Sequence, residues 1–385
     1  MTQRSKPPFR ADQVGSLLRS APVKDARTKL LAGEITAAQL KAVEDAEIRK
    51  LVAKQESIGL QAVTDGEFRR SWWHYDFLKH LDGVELVSVT QGLQFKGTQT
   101  KAEGLHVHGK VDFSAGHPMI EHFRFLKSVA KAVPKMTIPS PTALHFRGGR
   151  KAIEMSAYPT MEPFFVDLGR AYTKAVRAFG EAGCTYLQLD EVFVAYLCDD
   201  AQRQMLRDRG DDPDSLLHVY AGLVNAACAG RTPGMTISMH LCRGNFRSTW
   251  MAQGGYERVA DILFNQMNID AYFMEYDSER AGGFEPLRYL PKGKQVVLGV
   301  MTSKTGALES KDQLKRRIEE AAKFTSSTSS ASRRSAASPR PRKATCWPKR
   351  NSGPSSRAVS RWPRKFGANG RREAGSARPA RCWTR

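Results

Sequence analysis

Short apolar runs rich in β-branched residues alternate with longer stretches of helical periodicity over residues 10–324, and this alternation restricts the possible folds more than any other feature. Strands separated by helices form parallel βαβ units, because a parallel pair of strands needs a long crossover. The seven segments predicted to be strands are residues 13–17, 60–64, 135–139, 185–189, 235–241, 271–275 and 295–300.

The stretches between these strands are predicted to be helices, at residues 36–58, 163–182, 216–229 and 256–265. Thr36 is expected to cap the first helix, and Gly183 follows the end of the second. The fold class predicted is therefore α/β, a (β/α)8 TIM-type barrel with one strand absent from the pattern. An open doubly wound sheet is the alternative, but no glycine-rich phosphate loop follows the first strand.

The interval 71–133 is too long for a simple connection between two strands. It contains a predicted hairpin at residues 86–113 and the pair Trp72 and Trp73. A long insertion after a barrel strand usually shapes the mouth of the active site. The two tryptophans could stack on a flat ring, although packing within the insertion is the commoner role of such a pair.

Residues 325–385 differ in composition from everything before them. These 61 residues contain no Leu, Ile, Met, Tyr or Asp, and they hold 16 basic residues against the single acid Glu373. Such a segment cannot bury a core and is expected to be disordered. The predicted organisation is a catalytic barrel over residues 1–324 with an insertion at about 71–133, followed by a disordered basic tail over 325–385.

The tail contributes +15 of the net charge of +21, so the body carries only +6. The charge is therefore a weak argument for nucleic-acid binding by the folded part. The four body cysteines have irregular spacing, and the chain shows neither a signal peptide nor a long apolar run. We expect no disulfide framework, no membrane span and a cytoplasmic location.

Polar and charged residues follow nearly every predicted strand, and in a barrel these ends converge on one site. His240 and Cys242 are two residues apart on one strand, so their side chains share a face. With Glu275 at the end of the next strand they form a nitrogen, sulfur and oxygen donor set suited to zinc. For the His240 and Cys242 pair alone, a buried cysteine beside a hydrogen-bonded histidine is the commoner arrangement.

Three carboxylates at other strand ends are candidates for substrate binding or acid–base chemistry. Asp190 and Glu191 could recognise an ammonium group or exchange a proton. The alternative for this pair is a helix N-cap just past a strand. Glu67 is a second carboxylate for the same amine, or a partner of the neighbouring Arg69 or Arg70.

The body resembles cobalamin-independent methionine synthase, specifically the short bacterial homologues of its C-terminal catalytic barrel. The matching pieces run in family order over about residues 10–324. They are Val-Gly-Ser at 14–16, Thr-Asp-Gly-Glu at 64–67, Ile-Pro-Ser-Pro at 138–141, Gln-Leu-Asp-Glu at 188–191, His-Leu-Cys at 240–242 and Glu275.

The resemblance implies that His240, Cys242 and Glu275 bind zinc and that Ser16, Glu67 and Asp190 bind homocysteine, the two carboxylates holding its amino group. It implies transfer of a methyl group to homocysteine sulfur, as in 5-methyltetrahydropteroyltriglutamate–homocysteine S-methyltransferases. Zinc binds a thiol as the thiolate, which is the nucleophile at neutral pH. The methyl donor of the full-length family is a polyglutamylated methylfolate, and the short homologues lack the N-terminal half that helps to bind it.

The family's last zinc ligand is a Cys at the end of the eighth strand, in a segment like Ser-Pro-Gln-Cys-Gly-Phe. This chain has Ala-Ser-Arg-Arg-Ser-Ala-Ala-Ser at residues 331–338. Codon degeneracy permits Leu-Ser-Pro-Gln-Cys-Gly-Phe to lie under these residues, one base out of frame. We therefore expect a frameshift after about Phe324. The chain as written is then expected to lack the eighth strand, its closing helix and one zinc thiolate, and to have low stability and little activity.

Other functions remain open at the level of sequence. A small-molecule thiol and a methyl donor are the expected partners, but another thiol such as coenzyme M could be the acceptor. A metal-free barrel of the uroporphyrinogen decarboxylase type shares the architecture, and a truncated homologue could be inactive. The basic tail could bind nucleic acid non-specifically, with Trp347, Trp362 and Trp383 available for stacking.

Overall fold

A computed structural model describes residues 5–330 of the chain except Leu93, Lys96 and Arg247, and all of these residues belong to one compact unit. The predicted tail from residue 331 onward lies outside the described residues. The segment 331–338 and both tail cysteines, Cys346 and Cys382, therefore lie outside them as well.

The described part of the chain contains ten strands. In chain order they are β1 (Ala62–Val63), β2 (Asp82–Ser88), β3 (Gln94–Phe95), β4 (Thr98–Gln99), β5 (Glu103–Asp112), β6 (Val133–Pro139), β7 (Tyr186–Asp190), β8 (Thr236–Leu241), β9 (Ala271–Glu275) and β10 (Gln295–Gly299).

Eleven α-helices surround these strands in the same part of the chain. They are α1 (Ala21–Leu31), α2 (Ala37–Ser57), α3 (Tyr75–Leu78), α4 (Pro118–Val129), α5 (Thr142–Phe146), α6 (Met161–Glu181), α7 (Phe193–Tyr196), α8 (Asp200–Asp208), α9 (Pro213–Cys228), α10 (Glu257–Asp261) and α11 (Lys311–Ser330). Short 3-10 turns lie at Gly149–Ala152, Glu279–Ala281 and Glu285–Tyr289, and one π-helical turn lies at Ile262–Gln266.

Six strands form one parallel sheet in the order β1-β6-β7-β8-β9-β10, which confirms six of the seven predicted strands. The sheet is curled. The Lys135 ammonium on β6 lies 3.9 Å from the centre of the Phe273 ring on β9. In a flat sheet, strands three positions apart would be separated by about 14 Å. The architecture is thus a half-barrel of the TIM type, with helices on its outer face.

The prediction of a strand at residues 13–17 is wrong. The backbone carbonyls of this segment are bound by side chains of the sheet instead of a neighbouring strand. Gln188 donates to Val14 O at 2.8 Å, and Thr64 donates to Gly15 O at 2.7 Å. Gly15 has a φ of 117°, which interrupts an extended ladder. The segment therefore lies against the sheet without joining it.

Local signals for two helices are confirmed. Gln39 N donates to Thr36 Oγ1 at 3.2 Å and Thr36 N donates to Gln39 Oε1 at 2.8 Å, which is a complete capping box at the start of α2. Gly183 follows α6 with a φ of 92°. The predicted helix at 256–265 is divided, since the regular helix α10 ends at Asp261 and a π-helical turn continues to Gln266.

The long connection between β1 and β6 contains the predicted hairpin. Strands β2 and β5 pair antiparallel, with Leu86 opposite Leu105. Helix α4 follows the hairpin, and its buried Leu126 packs in a core cluster with Ile48 and Val52 of α2. The helical crossover required by a parallel pair is therefore present, and the hairpin is an addition to it.

The last described helix, α11, spans Lys311–Ser330 and therefore includes the predicted boundary at Phe324. The last strand in the described part of the chain is β10, which pairs with β9. Among the described residues, no helix is long and apolar enough to cross a membrane.

Candidate active site

The predicted site residues lie along one edge of the sheet because the strands are parallel and in register. Asp190 at the end of β7 is opposite His240 on β8. The ladder continues past the strand ends, where Ser140 N donates to Asp190 O and Glu191 N donates to His240 O, both at 2.8 Å. On the far side, Glu275 is paired with Gly299. The carboxyl ends of β6 to β10 thus present their side chains to a common region.

Asp190 and His240 form a direct hydrogen bond. Their atoms Oδ1 and Nδ1 are 3.1 Å apart, and Gln188 Nε2 donates to the same Oδ1 at 2.8 Å. A carboxylate at Nδ1 favours the tautomer that carries its proton there, so the Nε2 lone pair is available to a metal. Asp190 therefore orients His240 as well as bringing a negative charge to the site.

Glu67 is buried beside this pair in a constrained backbone conformation. Its φ is 56°, and its backbone N–H donates to Asp65 Oδ1 at 2.8 Å. Burial raises the pKa of the Glu67 carboxyl to about 7, the ion pair with Arg70 opposes the rise, and the negative charges of Asp190 and Asp65 add to it. Gln188 Nε2 donates both to Asp190 Oδ1 and to Val14 O, and Glu67 Oε1 lies beside the next residue, Gly15, so Glu67 and Asp190 border the same region.

The N-terminal segment closes over Glu67. A Cβ at Gly15 would lie 2.8 Å from Thr137 Oγ1 and 3.1 Å from Glu67 Oε1, so only glycine allows this approach. The exposed Ser16 hydrogen-bonds Glu67, and this bond favours the charged form of the carboxyl. Ser16 and Glu67 are thus adjacent, as the resemblance implies, although residues 13–17 are not a strand.

Glu191 is placed differently from its neighbour Asp190. Its Oε1 accepts the backbone N–H groups of Phe193 and Val194 at 2.8 and 2.9 Å, and its Oε2 accepts the Thr142 hydroxyl at 2.6 Å. Burial raises the pKa of its carboxyl. Both oxygens are engaged within the fold at the start of α7, which favours the helix N-cap interpretation over substrate binding for this residue.

Cys242 follows β8 in a partly buried, negatively charged setting. Burial, with the nearby charges of Glu275 and Asp190, raises the pKa of its thiol to about 12. A thiolate at this position therefore needs a strong cation next to it, since the surroundings disfavour the charged form. This requirement, with the oriented His240 two residues earlier, fits a metal ion with affinity for sulfur.

Glu275 is held by cations of the protein. Its Oε2 accepts the backbone N–H of Arg243 at 2.5 Å, and its Oε1 accepts from Arg280 at 2.5 Å and from Lys304 at 2.8 Å. Burial alone would raise the pKa of this carboxyl, but Lys304 and Arg280 outweigh it and lower the pKa to about 2.

The donor chemistry of His240, Cys242 and Glu275 fits zinc, but their arrangement is not a ready-made cage. Within residues 5–330, no three His, Cys, Asp or Glu side chains are placed closely enough to hold a metal ion. At Glu275, the position that a metal ion would take beside Oε1 is occupied by two protein cations, Arg280 and Lys304.

Sequence reasoning missed the basic residues of the site. Arg70 pairs with Glu67, while Arg280 and Lys304 pair with Glu275. Only the Arg70 pairing had a local signal, because Arg70 is three residues from Glu67 and the sequence makes Arg69 or Arg70 its candidate partner. Lys304 lies 29 residues from its partner on a connection without a motif, so no sequence signal could have identified it.

The insertion brings aromatic rings towards the strand ends. The Trp72 ring stacks on Phe246, four residues after Cys242, with ring centres 6.3 Å apart and planes 10° from parallel. Trp73 lies beside Phe193 at 6.0 Å. Trp72, Phe246 and Tyr75 line a cavity of about 600 Å³ beneath the hairpin. Trp72 and Trp73 also line a second cavity, of about 190 Å³, together with Glu67, so both rings border the site.

Residues 9–331 match the family model described as the catalytic domain of cobalamin-independent synthase. This chain belongs to that family. Two similar proteins of Bacillus subtilis, described as uncharacterized proteins YxjG and YxjH, are 52% and 51% identical to it, and each match covers 84% of this chain and 85% of the relative. The family is that of methionine synthase, so the general kind of enzyme is a methyltransferase.

More distant comparisons agree with this assignment. A 5-methyltetrahydropteroyltriglutamate–homocysteine methyltransferase of Thermosynechococcus vestitus is 24% identical, in a match that covers 81% of this chain and 38% of that longer protein. A crystal structure of a putative vitamin-B12-independent methionine synthase from Listeria monocytogenes is 41% identical, with a TM-score of 0.68 over 83% of this chain and 88% of that one. A B12-independent methionine synthase from a Shewanella species shares the fold, with 18% identity and a TM-score of 0.55 over 76% of this chain and 80% of that one.

Proposed function

We propose that this domain transfers a methyl group to the sulfur of homocysteine, with zinc held by His240, Cys242 and Glu275. The observation that carries the proposal is the contact between Asp190, a candidate for binding the amine, and His240, a candidate zinc donor. The same carboxylate thus belongs both to an amine-binding pair and to the surroundings of the metal donors. A substrate with an amine at one end and a thiol at the other fits this combination.

The two carboxylates would bind the ammonium group of the amino acid. Glu67 and Asp190 are both buried, so an ammonium between them replaces their mutual repulsion with attraction in a poorly solvated site. Ser16, next to Glu67, would border the same end of the substrate. The length of homocysteine would then direct its sulfur towards His240 and Cys242.

Zinc, when bound, lowers the pKa of a thiol so that the sulfur reacts as a thiolate. The protein's own part is to orient His240 through Asp190 and to limit access of water under the hairpin. In the transfer, the sulfur forms a bond to the methyl carbon, the bond from that carbon to the donor breaks, and its electron pair leaves with the donor. The donor is proposed to be a folate-type molecule, whose flat ring suits the cavity beside Trp72 and Phe246.

A tetrahedral zinc site has a fourth position, which water or the substrate thiol could fill in the chain as written and for which the resemblance calls for a Cys on an eighth strand. Three of the four described cysteines, Cys184, Cys198 and Cys228, are buried, and burial raises the pKa of each thiol. We propose that the fourth thiolate is encoded one base out of frame under residues 331–338. Sequencing the gene across codons 323–338 tests this: a missing or extra base supports it, and an unchanged sequence refutes it.

Methyl transfer to a pair of acceptor thiols tests the function. The acceptors are homocysteine and mercaptobutyrate, which lacks only the amino group. Methyltetrahydrofolate is the donor, and the assay is run with the chain as written and with the frame-restored chain. We expect the frame-restored protein to prefer homocysteine and Asp190→Asn to lose that preference. Equal rates for both thiols, or a preference for coenzyme M, would contradict homocysteine as the acceptor.

One observation favours a metal-free barrel as a second candidate. Glu275 is neutralised by Arg280 and Lys304, an arrangement that is electrostatically complete without a metal ion. Elemental analysis of the purified frame-restored protein separates the two candidates, since this alternative predicts no stoichiometric metal.

A further inference from the structure

Two carboxylates and two cations form a closed network at the end of β9. Lys304 Nζ lies 2.8 Å from Glu275 Oε1 and 2.7 Å from Asp277 Oδ2. Arg280 lies 2.5 Å from the same Glu275 oxygen and 3.3 Å from Asp277 Oδ1. The four side chains are between 4% and 13% exposed. Each charge is therefore poorly solvated and depends on the others for compensation.

The loop between β10 and α11 directs Lys304 into this network. Thr302 donates its hydroxyl to Asp277 Oδ2 at 3.0 Å and accepts the backbone N–H of Lys304 at 3.1 Å. The backbone N–H of Thr302 in turn donates to Glu309 Oε1 at 2.8 Å. The position of the Lys304 ammonium thus depends on a few hydrogen bonds within one surface loop.

Arg280 is held in place by other groups. Its guanidinium lies 5.1 Å from the centre of the Trp250 ring and donates to Ala252 O at 3.2 Å. Its backbone carbonyl accepts the N–H of Gly254 at 3.0 Å. Of the two cations on Glu275, Lys304 is therefore the one whose displacement disturbs less of the surrounding structure.

A metal ion and the Lys304 ammonium cannot share the Glu275 oxygen without repulsion. A zinc–carboxylate bond is about 2.0–2.2 Å long, and the ammonium lies 2.8 Å from the same oxygen. The two cations would then be separated by a few ångströms in a region that excludes water, where charges of like sign repel strongly. The other oxygen, Oε2, accepts the backbone N–H of Arg243 and belongs to the same carboxylate, so a metal ion bound there would still lie close to the ammonium.

We propose that Lys304 is an internal counter-ion that competes with the metal ion for Glu275, so that metal uptake requires its withdrawal. This inference rests on the proposed zinc site and adds to it a residue that sets metal affinity. The loop that carries Lys304 must therefore move before Glu275 can bind the metal ion.

Metal affinity of Lys304 variants tests the proposal. Lys304→Met removes the charge with similar bulk, Lys304→Arg keeps it, and Lys315→Met removes a charge from an exposed ion pair on α11. The dissociation constants for Zn²⁺ are measured by competition with a chromophoric chelator. Cd²⁺ is the second probe, because its ultraviolet charge-transfer band reports coordination by a thiolate. Circular dichroism and the thermal midpoint confirm that each variant is folded.

We expect Lys304→Met to bind Zn²⁺ at least roughly tenfold more tightly than the unchanged chain, which corresponds to about 1.4 kcal/mol. Lys304→Arg and Lys315→Met should stay within about threefold. If all variants bind zinc with equal affinity, the counter-ion proposal is refuted and the zinc site stands. If neither the unchanged chain nor Lys304→Met binds Zn²⁺ or shows the Cd²⁺ band, both this proposal and the zinc-dependent function are refuted.

Discussion

Arg243 is expected to be essential for stability because its guanidinium joins two loops and the end of β9 beneath the site. The residue is completely buried. Its Nε donates to Gly254 O at 3.0 Å, and its terminal nitrogens donate to Ala281 O and Glu275 O, each at 3.2 Å. It also donates to the Tyr256 hydroxyl at 3.0 Å. The loops after β8 and β9 therefore share one buried donor group.

Replacing Arg243 with Met, a residue of comparable length, removes this donor from Gly254 O and Ala281 O, whereas Glu275 O keeps the Tyr256 hydroxyl at 3.3 Å. A buried polar group left without a partner costs about 1–3 kcal/mol. Removing a buried charge regains part of this cost, because a charge out of water is itself unfavourable. For two carbonyl groups, the expected loss in the free energy of unfolding is about 2–4 kcal/mol.

The assay is equilibrium unfolding in urea, followed by tryptophan fluorescence. The matched control is Arg288→Met, which breaks an exposed ion pair with Glu257 and should cost less than about 1 kcal/mol. If the free energy of unfolding of Arg243→Met lies within about 1 kcal/mol of that of the control, the hydrogen bonds assigned to Arg243 do not stabilise the site and the reasoning fails.

Three further predictions concern the site and its support. The pKa of the Glu67 carboxyl is raised from 4.5 to about 7, so the folded state binds this proton more tightly than the unfolded chain. The stability gained from this proton is therefore present below pH 4.5 and is lost as the pH rises to about 7. In urea titrations at a series of pH values, Glu67→Gln should remove this decline, and an unchanged slope would contradict it. Asp190→Asn should weaken zinc binding by about 10- to 100-fold, because it removes the carboxylate that orients His240. Equal dissociation constants for Zn²⁺ in the variant and the unchanged chain, measured by chelator competition, would disprove this role. Thr36→Ala should lower stability by about 1 kcal/mol in thermal unfolding through loss of the capping box, whereas Thr28→Ala on α1 should have little effect; equal midpoints would argue against the cap.

Periodicity and parallel topology explain why much of the site could be predicted from the sequence. Once the runs ending at Asp190, Leu241 and Glu275 are identified as neighbouring parallel strands, their side chains must meet at one edge. The contact between Asp190 and His240 follows from that register. The capping box at Thr36 could also be predicted, because its partner Gln39 lies only three residues away in the sequence.

The remainder depended on contacts that no local pattern encodes. Residues 13–17 have the composition of a strand, but side chains such as Gln188 bind their carbonyl groups and Gly15 breaks the extended path. Glu191 has the same chemistry as Asp190, and only the fold shows that its oxygens are used at the start of α7. Lys304 became part of the site only through the return of the chain after β10.

The central claim is that His240, Cys242 and Glu275 hold the zinc ion that activates a thiol. It is tested most directly by the zinc content of the chain after equilibration with excess Zn²⁺ and gel filtration, measured by elemental analysis alongside Cys242→Ala and Cys228→Ala. The account predicts close to one zinc per chain for the unchanged protein and for Cys228→Ala, and almost none for Cys242→Ala. No retained zinc in the unchanged protein, or equal zinc in Cys242→Ala, would contradict it.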